Sequence, residues 1–280
     1  MDDHQLTPEA NHLESDQASV TPSLDDLSRL LEQKRADAGI VVVDDSVDVF
    51  ERVAASIKAM RHADPEAPAD PQLVRQVEIQ AEMRQFEHAA GERYRSCRLT
   101  NFTCSSQYQS RVVDAVREYG KSLEARRASR EGLVLFGPVG TGKDHLAYAL
   151  ALHAAYGGLT VRWINGQSWF GSVRDAMDTD RTEASIIREL EKPDMVVISD
   201  PLPPIGDLTQ HQATMLYRAI EARYSHGKLT VTTVNVADDT EADRRMGAAT
   251  WDRLCHEAWK IHCNWPSFRK PARVVKKDTP

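Results

Sequence analysis

The sequence contains few of the residues that cross-link a protein. Its 280 residues include four cysteines, Cys97, Cys104, Cys255 and Cys263, and none belongs to a C-x-x-C pair. Thiols so few and so widely spaced do not predict a disulfide framework or a standard structural zinc site. We therefore expect a protein of a reducing compartment, the cytoplasm.

Long hydrophobic runs are also missing. The mean hydropathy is −0.49, and no stretch approaches the roughly 18 to 20 consecutive apolar residues that a membrane-spanning helix needs. The amino terminus, MDDHQLTPEANHLESD, is acidic, whereas a secretory signal begins with basic residues and continues with an apolar stretch. The sequence predicts neither a membrane protein nor a secreted one, and no membrane partner.

Aromatic residues make up 6% of the chain, but a hydrophobic content of 41% is enough for one sizeable core. Charge is distributed unevenly. Residues 1–93 carry 20 Asp and Glu against 9 Lys and Arg, whereas residues 94–280 carry 22 against 26. The net charge of −7 therefore arises in the amino-terminal third, and the mildly basic remainder is compatible with a nucleic-acid partner.

Composition and periodicity divide the chain into four regions. Residues 1–22 have too little apolar content to form a core and are predicted to be a disordered acidic tail. Residues 23–93 are predicted to be a helical partner-docking region with a proline-rich linker. Within them a charged helix from Pro71 to about Arg93 is interpreted as a solvated connecting helix. Residues 94–269 form the main domain, and 270–280 a basic tail.

In the main domain, short apolar runs alternate with longer amphipathic stretches. This alternation is typical of parallel strands joined by helices that cover both faces of a sheet. Strands are predicted at 132–136, 159–164, 195–198, 229–234 and 259–263, and helices at 107–122, 142–156, 168–177, 182–191 and 209–226. The predicted fold class is α/β, with a five-stranded parallel sheet flanked by helices.

A phosphate-binding motif lies between the first strand and the next helix. It consists of Gly137, Pro138, Val139, Gly140, Thr141, Gly142 and Lys143. Glycines at this spacing allow backbone N–H groups to surround an anion, the following helix directs its positive end at it, and the lysine reaches the β and γ phosphates. The motif predicts ATP or GTP binding. Asp144 and His145, which open the helix, complete the predicted nucleotide-binding set, although we expect His145 to pack on its own helix.

One position departs from the P-loop pattern. Asp144 stands where a Ser or Thr hydroxyl normally binds Mg²⁺. The apolar run Met195–Ile198 is where a strand would end in a metal-binding acid and then a second acid that orients water. Here Ser199 and Asp200 follow. Our hypothesis is a reciprocal exchange, in which Asp144 and Ser199 present one carboxylate and one hydroxyl to the same metal ion. Asp200 then takes the place of the catalytic acid.

Two alternatives stay open. In a different register Asp200 is the metal ligand and Pro201 occupies the position of the catalytic acid, which predicts a nucleotide binder that hardly hydrolyses. In the other, the metal site has simply been lost, because an Asp beside a polyphosphate repels it unless a cation lies between them. Asp144, Ser199 and Asp200 are the candidate metal ligands.

Further motifs follow the P-loop pattern in a fixed order. They are Tyr94–Phe102 ahead of the first strand, Leu216–Tyr224 and Val231–Asn235 around the fourth strand, and Asp252–Leu254 and Asn264–Arg269 near the end. With these motifs, residues of about 94–269 resemble the AAA+ ATPases of the helicase-loader and transposition-helper branch, the DnaC/IstB-like ATP-binding proteins.

The resemblance implies an ATPase that uses ATP and Mg²⁺ and lacks a full carboxyl-terminal lid. It implies that Asn235 senses the γ phosphate and that Arg253 is an arginine finger acting on a neighbouring subunit, hence a homo-oligomer when ATP is bound. A turn-forming Asn235 and a surface ion pair of Arg253 with Asp252 or Glu257 are the alternatives. Arg223 and Arg244 are weaker candidates for the intersubunit role.

The resemblance also implies single-stranded DNA as a partner, contacted around residues 167–181. Trp169, Phe170 and Arg174 have suitable chemistry for that contact, although core packing is the preferred role of the aromatic pair. The implied function is a DNA-dependent ATPase that acts on a replicative helicase or a transposase. The alternative is a non-catalytic adaptor gated by nucleotide. A small-molecule kinase is disfavoured because the chain offers no arginine-rich lid.

Overall fold

The computed structural model describes residues 71–176 and 182–269. The predicted acidic tail, the first helices, the linker up to residue 70 and the basic tail lie outside the described residues. So do residues 177–181 of the predicted DNA-contact region.

Five parallel strands form one sheet. They are β1 (Leu133–Phe136), β2 (Val161–Asn165), β3 (Met195–Ser199), β4 (Leu229–Val234) and β5 (Trp259–His262). Their order across the sheet is β2-β3-β4-β1-β5, so β1 lies between β4 and β5. All five predicted strands are confirmed.

Nine helices surround the sheet in the described part of the chain. They are α1 (Pro71–Ala90), α2 (Gln107–Lys121), α3 (Leu123–Ser129), α4 (Lys143–Tyr156), α5 (Gly166–Ala176), α6 (Glu183–Glu191), α7 (Gln210–Ser225), α8 (Asp239–Met246) and α9 (Ala248–Cys255). The five helices predicted in the main domain and the charged helix from Pro71 are confirmed. The short helices α3, α8 and α9 were not predicted, because seven or eight residues carry too little apolar periodicity to reveal a helix.

Alternating residues of β1 point into two separate cores. Leu133 and Leu135 pack with residues of α1, α2 and α4, whereas Val134 and Phe136 pack with residues of α5 to α9. The sheet is thus covered on both faces, as the strand pattern predicted.

Helix α1 is not a solvated connector, contrary to the prediction. Phe86 is 1% exposed and belongs to the core, and its ring stacks on Tyr148 of α4 with centroids 4.9 Å apart. Met83 is buried beside it. Glutamine and charged residues are interspersed with the apolar residues of α1, so the sequence pattern did not reveal its buried side.

The aromatic pair of α5 lies in the hydrophobic core, which is the role that the sequence analysis preferred for it. Trp169 and Phe170 are buried in the apolar cluster with Val173 and residues of α6 and α7, and Arg174 is exposed. This arrangement leaves the two rings unavailable for stacking on bases.

Candidate nucleotide-binding site

The P-loop follows β1 at the carboxyl edge of the sheet. Gly140 and Gly142 have φ angles of 79° and 84°, values that residues with a side chain rarely adopt. A Cβ on Gly142 would also lie 2.7 Å from the ring of Phe102. Glycine is therefore required at position 142, both by the backbone conformation and by the close approach of Phe102.

A cavity of about 480 Å³ opens beside the P-loop, a size suited to a small-molecule ligand. Its walls come from the P-loop, the start of α4, the ends of β3 and β4, and the chain on either side of the domain. Of the predicted site residues, it is lined by Val139, Gly140, Gly142, Lys143, Asp144, His145, Asp200 and Asn235. Arg93 and Arg269 also line it, so three cationic side chains face this space.

Lys143 is the buried cation of the site. Its Nζ donates to the carbonyl oxygens of Gly137 at 2.9 Å and Pro138 at 2.7 Å, and lies 3.4 Å from Thr141 Oγ1. Burial lowers the pKa of Lys143, and the negative charge of Asp144 is among the effects that oppose the shift. The predicted P-loop residues absent from the cavity wall therefore hold the lysine in place.

Asp144, in the first turn of α4, accepts hydrogen bonds from three hydroxyl groups. Its Oδ1 accepts from Ser199 Oγ at 3.0 Å and from Thr233 Oγ1 at 2.7 Å, and its Oδ2 accepts from Tyr94 at 3.2 Å. The structure thus brings together Asp144 and Ser199, the two residues of the exchange hypothesis.

Sequence reasoning missed the roles of Tyr94 and Thr233. Burial and the neighbouring Asp144 raise the pKa of Tyr94 to about 12, so at neutral pH its hydroxyl is protonated and can donate. Thr233 pairs in register with Ser199 across β3 and β4. A hydroxyl residue near the end of the strand next to β3 was the available signal for Thr233. No local pattern pointed to Tyr94.

Asp200 follows β3 in a strained conformation, with φ of 45°. Its N–H donates to the carbonyl oxygen of Thr233 at 3.0 Å and to Thr233 Oγ1 at 3.2 Å. Burial, followed by the charge of Asp144, raises the pKa of the Asp200 carboxyl, against the effects of Lys143 and of a hydrogen bond from the side chain of Asn235. Asp200 and Asn235 therefore face the cavity as a hydrogen-bonded pair.

The donor chemistry of the site fits Mg²⁺. Within residues 71–176 and 182–269, no three His, Cys, Asp or Glu side chains converge on a point. The carboxylates of Asp144 and Asp200 and the hydroxyl of Ser199 supply oxygen only. Mg²⁺ in nucleotide sites takes one or two carboxylates and completes its shell with water and phosphate oxygens.

His145 packs against the segment Tyr94–Phe102, not on its own helix as expected. Its Nε2 lies 2.8 Å from the carbonyl oxygen of Arg98, and its ring meets the edge of Phe102. This arrangement gives His145 a packing role at the rim of the cavity.

The candidate intersubunit arginines have three different environments. Arg253 forms an ion pair with Glu221 of α7 at 2.7 Å, not with Asp252 or Glu257, and its guanidinium lies over the ring of Tyr224. Because α7 runs from the carboxyl end of β3 back to the amino end of β4, its last turn lies far from the P-loop of the same chain.

Arg223 is internal, so its proposed intersubunit role is wrong. The residue is 0% exposed, and its guanidinium donates to the carbonyl oxygens of Leu190, Pro193, Asp194 and Leu229. Arg244 is exposed and pairs with Asp207 at 2.6 Å.

Together these features define the class of the protein. A parallel sheet with a P-loop after its inner strand β1, and with polar residues of β3 and β4 facing the loop, is the core of a P-loop nucleotide-binding protein. The chain belongs to the family of IstB-like ATP binding proteins, whose model matches residues 73–275. The match begins before the predicted boundary at residue 94 and takes in most of α1.

Two curated relatives come from insertion sequences. An insertion-sequence ATP-binding protein of Sinorhizobium fredii is 28% identical over 155 residues, which is 54% of this chain and 50% of that protein. The ATP-binding protein of insertion sequence IS21 of Pseudomonas aeruginosa is 27% identical over 158 residues, 53% of this chain and 58% of that protein. The matched region thus spans little more than half the length of these relatives.

Solved structures share the fold. The DnaC helicase loader has a TM-score of 0.56 at 18% identity and covers 61% of this chain and 99% of its own. DnaI has a TM-score of 0.50 at 14% identity and covers 64% of this chain and 94% of its own. In the described parts of this chain, no helix is both long and apolar enough to cross a membrane.

Proposed function

We propose that this protein is a DNA-dependent ATPase that uses ATP to load or remodel a DNA-acting protein partner, a transposase or a replicative helicase. The observation that carries the proposal is the contact of Asp144 with Ser199 beside Lys143 and Asp200. At two positions the residue types depart from the P-loop pattern, yet a carboxylate and a hydroxyl meet where such a site needs them. Loss of the site would not require the two to remain in contact.

Each residue has a defined part in the proposed reaction. The backbone N–H groups of the P-loop and the positive end of α4 hold the phosphates, and Lys143 exchanges its loop carbonyls for phosphate oxygens. Asp144 and Ser199 would hold Mg²⁺, which, when bound, neutralises charge on the phosphates. The cationic side chains of Arg93 and Arg269 add to the attraction for a polyanion.

Asp200 and Asn235 orient the attacking water in this proposal. The side chain of Asn235 donates a hydrogen bond to the Asp200 carboxylate and keeps it directed into the cavity. Arg253 faces away from its own P-loop, so in a homo-oligomer formed on ATP binding it acts on the neighbouring subunit's nucleotide.

The comparisons favour particular partners. The insertion-sequence relatives support a transposase, and the DnaC helicase loader, of the same fold, supports a helicase. A solved structure of DnaA, with a TM-score of 0.50 at 15% identity, is bound to single-stranded DNA, which supports that ligand here. We also propose that this activity takes place in the cytoplasm, the compartment expected from the sparse cysteines.

The test is ATP hydrolysis with and without Mg²⁺ and single-stranded DNA. We compare the wild type with Asp144→Ser, Ser199→Asp and the double exchange, and use Asp175→Ser, an exposed carboxylate on α5, as the matched control. Wild type and control should hydrolyse ATP, each single exchange should lose at least about tenfold, and the double exchange should recover most of the rate.

The adaptor function is the second candidate, favoured by one observation. Asp200, in its left-handed conformation, is followed by Pro201, which cannot act as a second acid. If ATP binds but neither the wild type nor any variant turns it over, the protein is a nucleotide-gated adaptor and the ATPase proposal is wrong.

A further inference from the structure

Tyr94 contacts both Asp144 and the aromatic residues on which α1 packs. It lies in the short turn Glu92–Tyr94 that follows α1. Its ring contacts Tyr148 and Trp163 at centroid distances of 6.2 and 5.8 Å, and Phe86 of α1 contacts the same two rings. We refer to Phe86, Tyr94, Tyr148 and Trp163 as the aromatic cluster.

The two oxygens of Asp144 are in different situations. Oδ1 accepts two hydrogen bonds, from Ser199 and Thr233, and so uses both of its lone pairs. Oδ2 accepts one, from Tyr94, which also lines the cavity. Oδ2 is therefore the oxygen with a lone pair left for a cation, and the Tyr94 hydroxyl determines where that lone pair points.

The need for such a residue follows from the exchange itself. A Ser or Thr hydroxyl presents a single oxygen to a metal ion, whereas a carboxylate has two oxygens and can turn about the bond to its Cβ. A carboxylate oxygen that turns away from the metal position cannot serve as a ligand there. An Asp at this position of a P-loop must therefore be steered, and bonds to Oδ1 alone leave Oδ2 free to swing.

We propose that Tyr94, held in place by the aromatic cluster that it shares with Phe86 of α1, is a positioning residue that directs Oδ2 of Asp144 to Mg²⁺. This inference rests on the proposed function, since it takes Asp144 as a ligand of the metal. It adds a residue outside the P-loop and both strand ends, and it links the metal site to the helix that leads into the domain.

The test measures binding, not turnover. Affinity of the full chain for a fluorescent ATP analogue is followed while Mg²⁺ is titrated, and again in EDTA, for the wild type and Tyr94→Phe. The matched control is Tyr148→Phe, which removes a hydroxyl from the same aromatic cluster. That hydroxyl is buried and has no hydrogen-bond partner among the described residues.

Tyr94→Phe should raise the Mg²⁺ concentration for half-maximal binding by about tenfold, the usual effect of removing a hydrogen bond to a metal ligand. Affinity in EDTA should stay within about twofold, because phosphate contacts are unchanged, and Tyr148→Phe should behave as wild type. In an Asp144→Ser background, Tyr94→Phe should cause no further shift, since the carboxylate through which it acts is gone.

An unshifted Mg²⁺ dependence of Tyr94→Phe, an equal shift in Tyr148→Phe, or a shift that persists in the Asp144→Ser background each overturns the inference. In those cases the wild type still shows a Mg²⁺ effect and the proposed function stands. If the nucleotide affinity of the wild type does not depend on Mg²⁺, both this inference and the proposed function are overturned.

Discussion

Five hydrogen-bond acceptors surround the guanidinium of Arg223 in the interior of the protein. Four are backbone carbonyl oxygens at the end of α6, before β3 and at the start of β4, and the fifth is Thr230 Oγ1. Burial lowers the pKa of Arg223 to about 9, which leaves it charged at neutral pH. The residue fastens the loops at the amino edge of the sheet and has no surface to offer a second subunit.

Arg223→Met should lower the free energy of unfolding by about 3–5 kcal/mol, because the buried carbonyls lose their donor. Arg218→Met is the control on the same helix. Arg218 pairs with Glu183 at the surface, so its loss should cost less than about 1 kcal/mol. Urea unfolding followed by circular dichroism distinguishes the two, and equal effects would contradict the internal role of Arg223.

At the scale of elements, the segment after β5 supports the P-loop. Trp265 Nε1 donates to the carbonyl oxygen of Thr141 at 3.0 Å, and the backbone N–H of Phe268 donates to the carbonyl oxygen of Gly140 at 2.9 Å. A Cβ on Gly140 would lie 2.0 Å from Ser267 Oγ. The loop that binds phosphate is therefore braced by residues more than a hundred positions away in sequence.

Trp265→Phe keeps an aromatic side chain but removes the indole N–H that donates to the loop. Affinity for ATP should fall about fivefold, the equivalent of one neutral hydrogen bond of about 1 kcal/mol. Trp251→Phe is the control, because Trp251 Nε1 donates to Asp239, outside the residues that line the cavity. Calorimetric titration with ATP measures both, and an unaltered affinity of Trp265→Phe would show that the brace does not act on the loop.

At the scale of the whole molecule, the position of Arg253 determines whether it can reach a nucleotide on its own chain or only one on a neighbouring subunit. The residue lies near the amino edge of the sheet, held by Glu221 and Tyr224, while the P-loop lies at the carboxyl edge. The sheet separates the two within one chain. If Arg253 acts in the reaction, it acts between subunits.

Mixing two inactive variants tests this arrangement. Arg253→Ala should bind ATP with wild-type affinity but hydrolyse it at least tenfold more slowly, and Lys143→Ala should lose binding. In a mixture, an intact P-loop from one variant meets an intact Arg253 from the other, so hydrolysis should recover at those interfaces. If light scattering shows oligomers but the mixture does not recover ATP hydrolysis, Arg253 has no part in the reaction.

The sequence by itself determined the five strands, most of the helices, the phosphate loop and the family resemblance. These features depend on short-range patterns, the alternation of apolar residues and the spacing of glycines around Lys143, which neighbouring residues reveal on their own. It also identified Asp144 and Ser199 as an abnormal pair, because each departs from a local motif.

Only the tertiary structure decided how the charged and aromatic residues are used. Tyr94 and Thr233 reach Asp144 from 50 and 89 residues away, Arg223 turns inward, and Phe86 draws α1 into the core. A hydrogen bond or a buried contact depends on which distant segment lies within a few ångströms, and that is set by the packing of helices on the sheet. Whether an arginine such as Arg223 is buried in the interior or available at an interface depends on that packing alone.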